Sequence, residues 1–406
     1  MSKKAPAKVG GRCRSDERRL FRGLPVWLIL TFALGILTHK VVFNRGEPQR
    51  EVGQEIEAPE SLSRGGGSMI GEYESIEAVL MCAMIGTGVE SQMMVDLVRA
   101  LHRKVRVVVL VNSVEQVSEC RRLLSQAGIP AGGVDLLRCN ANSPWLRDYG
   151  PLFVRKADGK IAAVESAYLR SADSNNLNLV LANDEFAIAL SNGLDLEVDS
   201  LPILLDGGNF ISNGGRLVCT TTRVLAANRA RGFDANRLDR LFKRKFGELN
   251  WIMTPALDGE PTGHVDIFLT FLARDLAVVG RMDPSTEPVN AARLDQFAAT
   301  LRAQRVGKNQ MQVLRVPVTR NGEVWRSYCN VVIANGTILV PSFADSADSI
   351  EAEVMKVYRA AMPSAEVVPV TCDSLLGFDG LLHCMTLTLP RGIALDGLKA
   401  ALIPCP

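Results

Sequence analysis

The sequence predicts an α/β fold of five ββαβ units closed into a propeller-like ring, and three observations carry that expectation. Five polar clusters recur along the chain, with key positions at 148, 206, 264, 330 and 384, in steps of 58, 58, 66 and 54 residues. Most lead into a strand pair turned by Gly, Asn or Asp residues. A helical pattern and an apolar, β-branched run then follow before the next cluster. Repeats that cannot bury a face alone must stack or close, and closure limits exposed strand edges.

The strand pairs are the sharper signal. Residues 152–155 and 161–164 flank Ala157-Asp158-Gly159-Lys160, 209–211 and 216–220 flank Asn213-Gly214-Gly215, and 331–334 and 337–340 flank Asn335-Gly336. A fourth pair, 267–272 with 276–280, turns at Ala273-Arg274-Asp275. Asp-Gly and Asn-Gly supply the positive φ that tight turns need. Helical periodicity marks 91–102, 114–126, 236–246, 289–304 and 349–362. Further strands are expected at 105–111, 277–280, 312–316 and 366–370. The last unit is cut short after Cys384, and the run at 76–83 is the strand that would complete it.

The 406 residues divide into four stretches: a basic tail (1–22), an apolar segment (23–43), a linker (44–68) and a body (69–406). The tail holds eight Lys/Arg against Asp16 and Glu17. Gly23 to Thr38 carries no charge, and Val41-Val42-Phe43 extends it if Lys40 snorkels. With the basic run before it, this predicts a single-pass membrane anchor, the tail cytoplasmic and the catalytic body extracytoplasmic. A cleaved signal peptide is the rival reading. Gly and Pro interrupt the polar linker. Hydrophobic residues make up 47%, enough for a sizeable core, and Lys+Arg 46 against Asp+Glu 44 gives no reason to expect nucleic acid. Nine cysteines without a CxxC pair argue against a disulfide framework or zinc ribbon. Composition leaves a homo-oligomer open.

The clusters combine carboxylates, His and Cys. A guanidinium is planar, permanently charged and forked, so two carboxylates can grip its edges. Asp148 and Asp266 suit that need, because two buried acids without a cation would repel each other. On an extended segment His264 and Asp266 share a face. Cys384 could then attack the guanidinium carbon, with His264 as general acid and base. Asp206 could orient His264, Asn330 could hold a loop or touch substrate, and Trp145 could wall the site or simply pack in the core. His383, adjacent to Cys384, is the poorer partner for it and reads as a packed or hydrogen-bonded neighbour. Arg147 could pair with an acid structurally.

At Trp145-x-Arg147-Asp148-x-Gly150-Pro151, Asp206-Gly207-Gly208-Asn209, Thr262-Gly263-His264-Val265-Asp266, Tyr328-x-Asn330 and His383-Cys384-Met385-Thr386, the chain resembles the penteins. Within that guanidino-group-modifying superfamily it is most similar to the agmatine deiminase and Porphyromonas-type peptidyl-arginine deiminase family. The resemblance implies a five-bladed α/β propeller and deimination without metal or cofactor. It also implies that Asp148 and Asp266 bind the guanidinium, that His264 is the acid/base and that Cys384 is the nucleophile. The family often has Glu where this chain has Asp206. Its glycine-rich approach to the nucleophile reads here Gly377-Phe378-Asp379-Gly380-Leu381-Leu382.

The expected reaction converts a guanidinium, of agmatine or of peptidyl-arginine, into a ureido group plus ammonia. Amidino transfer to an amine would use the same residues. A membrane-tethered, inactive binding module is the reading from another class. A zinc hydrolase on His264, Asp266 and Cys384 lacks a supporting ligand spacing.

Overall fold

Five sheets repeat one connection: an antiparallel strand pair, a helical crossover, and a third strand parallel to the second. The computed structural model describes residues 67–84, 89–139, 143–168, 177–378, 380–398 and 403–404. In the first unit Leu152–Arg155 pairs with Ile161–Ala167, and helix Leu177–Gly193 returns the chain as Glu197–Leu204. In the second, Ile211–Ser212 and Leu217–Thr221 are followed by helices Thr222–Asn228 and Ala235–Phe246 and by strand Asn250–Thr254. The third runs Leu269–Ala273, Leu276–Arg281, helix Pro288–Arg302 and Gln312–Asn321. The fourth runs Val332–Ala334, Thr337–Ser342, helix Asp348–Ala361 and Glu366–Thr371.

The fifth unit is assembled from both ends of the body. Thr386–Pro390 pairs antiparallel with Ile76–Cys82, which lies parallel to Arg106–Val111 after helix Val89–Leu101. A further helix, Val114–Gln126, adds Asp135–Arg138 as an extra parallel strand.

Local chemistry accounts for the element ends. Ser113 caps helix 114–126 by accepting from Gln116 N at 3.3 Å, and Asp234 caps helix 235–246 from Arg237 N at 2.7 Å. Pro288 opens its helix where a missing N–H costs nothing. Asn335 and Gly336 both take positive φ, 45° and 83°, as a two-residue hairpin turn of twisted strands requires. At the other two Gly-bearing turns only Gly159 and Gly214 do so, because those loops are longer.

The core forms where the helices cover the sheets. Met93, Met94, Leu97, Val98 and Leu101 of helix 89–101 are buried in one cluster with Val107 and Val109 of the neighbouring strand. Full burial of each such side chain is worth about 1.5–3 kcal/mol.

Several elements escape the sequence expectation, among them strands Asp135–Arg138, Asn250–Thr254 and Thr386–Pro390, and two show why. Helix Leu177–Gly193 places apolar residues all round instead of on one stripe, so its periodicity is weak. Strand Glu197–Leu204 carries Pro202, which argues against a strand on sequence alone. A third point is a correction. The clusters at 206 and 264 are not extended throughout: each has an extended residue, Asp206 or His264, followed by a 3₁₀ turn, Gly207–Asn209 or Val265–Ile267. The expected strands at 209 and 267 therefore start two residues later, at Ile211 and Leu269.

The expected anchor, 23–43, lies outside the described residues, as does most of the linker. Among the described residues no helix is long and apolar enough to cross a membrane.

Candidate active site

The polar loops that open the five units touch one another in a closed order. Gly207 fits against Arg147 O so closely that a Cβ there would overlap it. Asn209 Oδ1 accepts from Val265 N at 3.2 Å, joining the second loop to the third. Asn330 Nδ2 donates to the Asp266 carbonyl at 3.3 Å, joining the third to the fourth. Asn330 Oδ1 accepts from His383 N at 3.0 Å, and Arg147 N donates to Cys384 O at 3.1 Å, which returns the order to its start.

This circuit buries the predicted site residues together. His264, Asp266 and Cys384 are each 1% exposed, Asp206 2% and Asp148 4%. The loop presenting His264 is held from behind. Glu260 accepts from Thr262 N at 3.1 Å and Gly263 N at 2.6 Å, and Gly263 itself sits at φ 66°. His264 Nε2 lies 2.9 Å from Asp206 Oδ2. That contact fixes the ring and turns Nδ1 towards Asp148, whose Oδ1 is 3.4 Å away without hydrogen-bond alignment.

Asp266 faces them from the other side. Its Oδ2 takes Asn330 Nδ2 at 3.2 Å, the Cys384 thiol at 3.3 Å and His383 Nδ1 at 2.8 Å. Asn330 Nδ2 is also 3.2 Å from Cys384 Sγ. Asn330 thus both supports the nucleophile loop and touches the nucleophile.

Three buried atoms in this cluster have no hydrogen-bond partner: Asp148 Oδ1, His264 Nδ1 and Asp266 Oδ1. Gly208 lets the backbone lie against these side chains. A Cβ on Gly208 would lie 2.6 Å from Asp148 Oδ1, 3.0 Å from Asp266 Oδ2 and 3.1 Å from His264 Nδ1. Two carboxylates and an imidazole therefore converge on one face of the Gly208 backbone, which only a residue without a Cβ can present to them. A buried acceptor left bare is expensive, so the arrangement asks for a donor-rich cation.

Electrostatics point the same way. Burial pushes Asp148 above the usual carboxylate range; His264 relieves this, while Asp206 and Asp266 add to it. Burial works against charge on His264, but Asp148 and then Asp206 outweigh it and hold the imidazole well above its ordinary range. The Cys384 thiol is pushed well above its usual value by burial, then by Asp266 and Asp148. All three lean towards the forms expected of a cluster short of one positive charge.

Trp145 is half-buried. It backs the approach to the nucleophile, because a Cβ on Gly380 would fall 2.5 Å from its ring and 3.0 Å from Cys384 Cβ. It packs against two core clusters, and its carbonyl accepts from Asp148 N at 3.0 Å. Phe378, on the same loop, is among the exposed large apolar residues.

Sequence reasoning underrated three residues. His383 is the hydrogen-bonded neighbour expected, but its partners are Asp266 and Glu72, the latter at 2.7 Å. Arg147 does pair with an acid, and the acid is Glu72 at 2.6 Å. Glu72 precedes the first long strand, outside all five clusters. The only available signal was the local acidic pattern Glu72-x-Glu74, which has no catalytic signature.

The Porphyromonas-type peptidyl-arginine deiminase family matches residues 87–390. An agmatine deiminase of Stutzerimonas stutzeri is 24% identical over 303 residues, covering 66% of this chain and 80% of that protein. Among solved structures, the agmatine deiminase of Enterococcus faecalis superposes with a TM-score of 0.70 at 19% identity, covering 84% of this chain and 99% of that one. The C. jejuni agmatine deiminase gives 0.68 at 16%, covering 82% and 98%. At these identities the structural likeness speaks for the fold, and the α/β fold is that of the deiminases. With the family match running through all five clusters, the chain belongs to the Porphyromonas-type peptidyl-arginine deiminase family and is a hydrolase acting on C–N bonds in amidines.

Proposed function

We propose that the protein deiminates a small free guanidine, agmatine being the first candidate, through a covalent Cys384 adduct. The observation that carries this is the set of bare, buried atoms, Asp148 Oδ1, Asp266 Oδ1 and His264 Nδ1, on side chains that converge at Gly208 and, through Asp266, touch Cys384. Guanidinium N–H groups satisfy the two carboxylates at once. The burial of every reacting group favours a slim, free substrate over an arginine carried on a protein surface.

In the reaction so read, the bound cation offsets Asp148 and Asp266 and lets the Cys384 proton leave, Asp266 Oδ2 being its nearest acceptor. The thiolate attacks the guanidinium carbon. His264 gives a proton to the departing nitrogen, and ammonia leaves a thiouronium on Cys384. His264 then takes a proton from water as water adds to that carbon. Collapse breaks the C–S bond, returns the thiolate and releases a ureido product, the hydroxyl proton passing through solvent to the ammonia. The sum is guanidinium plus water to urea derivative plus ammonium.

Two further readings go with it. The pairing of Thr386–Pro390 with Ile76–Cys82 favours a closed five-bladed propeller. The basic tail followed by an uncharged stretch in 23–43 favours an anchored enzyme whose body lies extracytoplasmic.

The test is parallel release of ammonia and ureido product from agmatine, free arginine and an internal-arginine peptide, with full-length wild type beside Cys384→Ala. Turnover of agmatine alone, lost in the variant, is expected. A fully active Cys384→Ala refutes the covalent mechanism, and turnover of the peptide alone refutes the small-substrate reading.

A further inference from the structure

His383 is placed between two carboxylates. Its Nδ1 is 2.8 Å from Asp266 Oδ2 and its Nε2 is 2.7 Å from Glu72 Oε2. Ionised carboxylates only accept, and a neutral imidazole has one N–H. Both contacts are satisfied together only by the doubly protonated ring.

Glu72 is itself held in place. Its Oε1 meets Arg147 at 2.6 Å while Oε2 meets His383. Its loop is pinned on both sides: Gly71 N donates to Glu74 Oε1 at 3.0 Å, and Tyr73 Oη donates to Asn213 O at 3.0 Å. The chain therefore delivers a fixed carboxylate from outside the five-loop circuit to the back of the site.

We propose that Glu72 is a positioning residue that acts through His383: the pair fixes the Asp266 carboxylate against Cys384 and keeps a positive charge beside it. Of the two Asp266 oxygens, Oδ2 receives His383, Asn330 and Cys384, and Oδ1 receives nothing. Rotating the carboxylate would break three contacts, so Oδ1 stays the bare oxygen. Asp266 is also, after burial, the first cause of the raised Cys384 thiol. A cation at His383 opposes that effect from the far side of the carboxylate.

Three charged groups face the His383 ring: Asp266, Glu72 and Arg147. Burial works against its charge and Arg147 does the same, yet Glu72 and the Asp266 contact lift the imidazole to about 9. Burial would raise Glu72, but Arg147 and His383 bring it down to about 2. The ion pair therefore spans the neutral range, fails on the alkaline side as His383 deprotonates, and weakens much earlier if Glu72 loses its charge.

The inference rests on the deiminase reading, and two readouts separate their failures. The first needs no substrate: imidazole NMR titration of the full-length protein, with His383 assigned by the signal lost in His383→Gln. Wild-type His383 is expected to stay doubly protonated past pH 8, and Glu72→Gln to lower its midpoint by about one unit or more. The second is kcat/KM against pH on the substrate turned over. Glu72→Gln is expected to lose about tenfold more at pH 8.5 than at pH 6, with Glu72→Asp recovering part of it. A neutral wild-type His383 at pH 7.5 overturns the proposal, even if Glu72→Gln does not fold. So does a Glu72→Gln loss of equal size at both pH values. If wild type turns over no guanidine, the deiminase reading fails while the NMR titration still decides the ion pair.

Discussion

Gly208→Ala separates a binding gap from a mere close contact. The new methyl would lie 2.6 Å from Asp148 Oδ1, 3.0 Å from Asp266 Oδ2 and 3.1 Å from His264 Nδ1. Gly208 is not among the glycines with positive φ, so alanine suits the backbone and the effect is local. Relieving the overlap costs about 1–3 kcal/mol of stability, the usual range for overpacking. The effect on catalysis is larger. A methyl group offers no donors, and it would push Asp148 and Asp266 from the positions in which they would receive a guanidinium. Each charged hydrogen bond forfeited is worth about 1.5–3 kcal/mol. Losing two removes about 3–6 kcal/mol, or roughly two to four orders of magnitude in kcat/KM. The assay is ureido product formation by the full-length variant, with a thermal melt on the same sample. Gly132→Ala serves as the control, since a Cβ there meets nothing within 4 Å. If Gly208→Ala keeps more than about a third of wild-type kcat/KM while folded, the carboxylates beside Gly208 do not hold the substrate cation.

Asp206→Asn removes the charge behind His264 Nε2, which helps hold the imidazole above its ordinary range after Asp148. A raised His stays protonated below its folded value and loses its proton as pH rises through it. The general acid is therefore lost at lower pH in the variant: the alkaline limb of kcat/KM should move acidward by about one unit, with little change near pH 6. An unmoved limb would take Asp206 out of that role. Lys245 Nζ meets Asp199 at 2.6 and 2.7 Å, and both residues are buried. Lys245→Met strands Asp199 and should cost about 3–5 kcal/mol in denaturant unfolding, most of it recovered when Asp199→Leu is added. A double variant no more stable than the single one would contradict this.

Much of the fold was legible because its rules are local. The helices at 114–126 and 235–246 declare themselves by caps and one-sided apolar patterns, 288–302 by Pro288 at its start, 348–361 by its apolar stripe, and Asn335-Gly336 by the turn it must make. Legibility fails where burial overrides local signals. Helix 177–193 is apolar all round, and strand 197–204 accommodates Pro202. The convergence of the candidate residues was legible because each loop brings its own polar residues in sequence. Its far side was not: Glu72 meets His383 across 311 positions, and no periodicity links residues that meet only through the tertiary fold. The face shared by His264 and Asp266 was argued from an extended segment. A 3₁₀ turn at 265–267 takes its place, and the contact network does what strand alternation was expected to do.

The charges of the finished site explain why a cation enters and a neutral product leaves. Four carboxylates meet there, those of Glu72, Asp148, Asp206 and Asp266, against three groups able to carry positive charge, Arg147, His264 and His383. Glu72 is balanced by Arg147 and His383, and the surplus negative charge falls on the Asp148–Asp266 side, where the bare oxygens are. A monovalent guanidinium removes that surplus; a ureido group restores it, because it has similar shape but no charge. In a site this buried, a missing unit charge weighs heavily, since the low local polarizability leaves little else to compensate it. Substrate affinity and product release then follow from one feature, the bare carboxylate pair, and weakening either Asp148 or Asp266 should slow capture of the cation more than departure of the product.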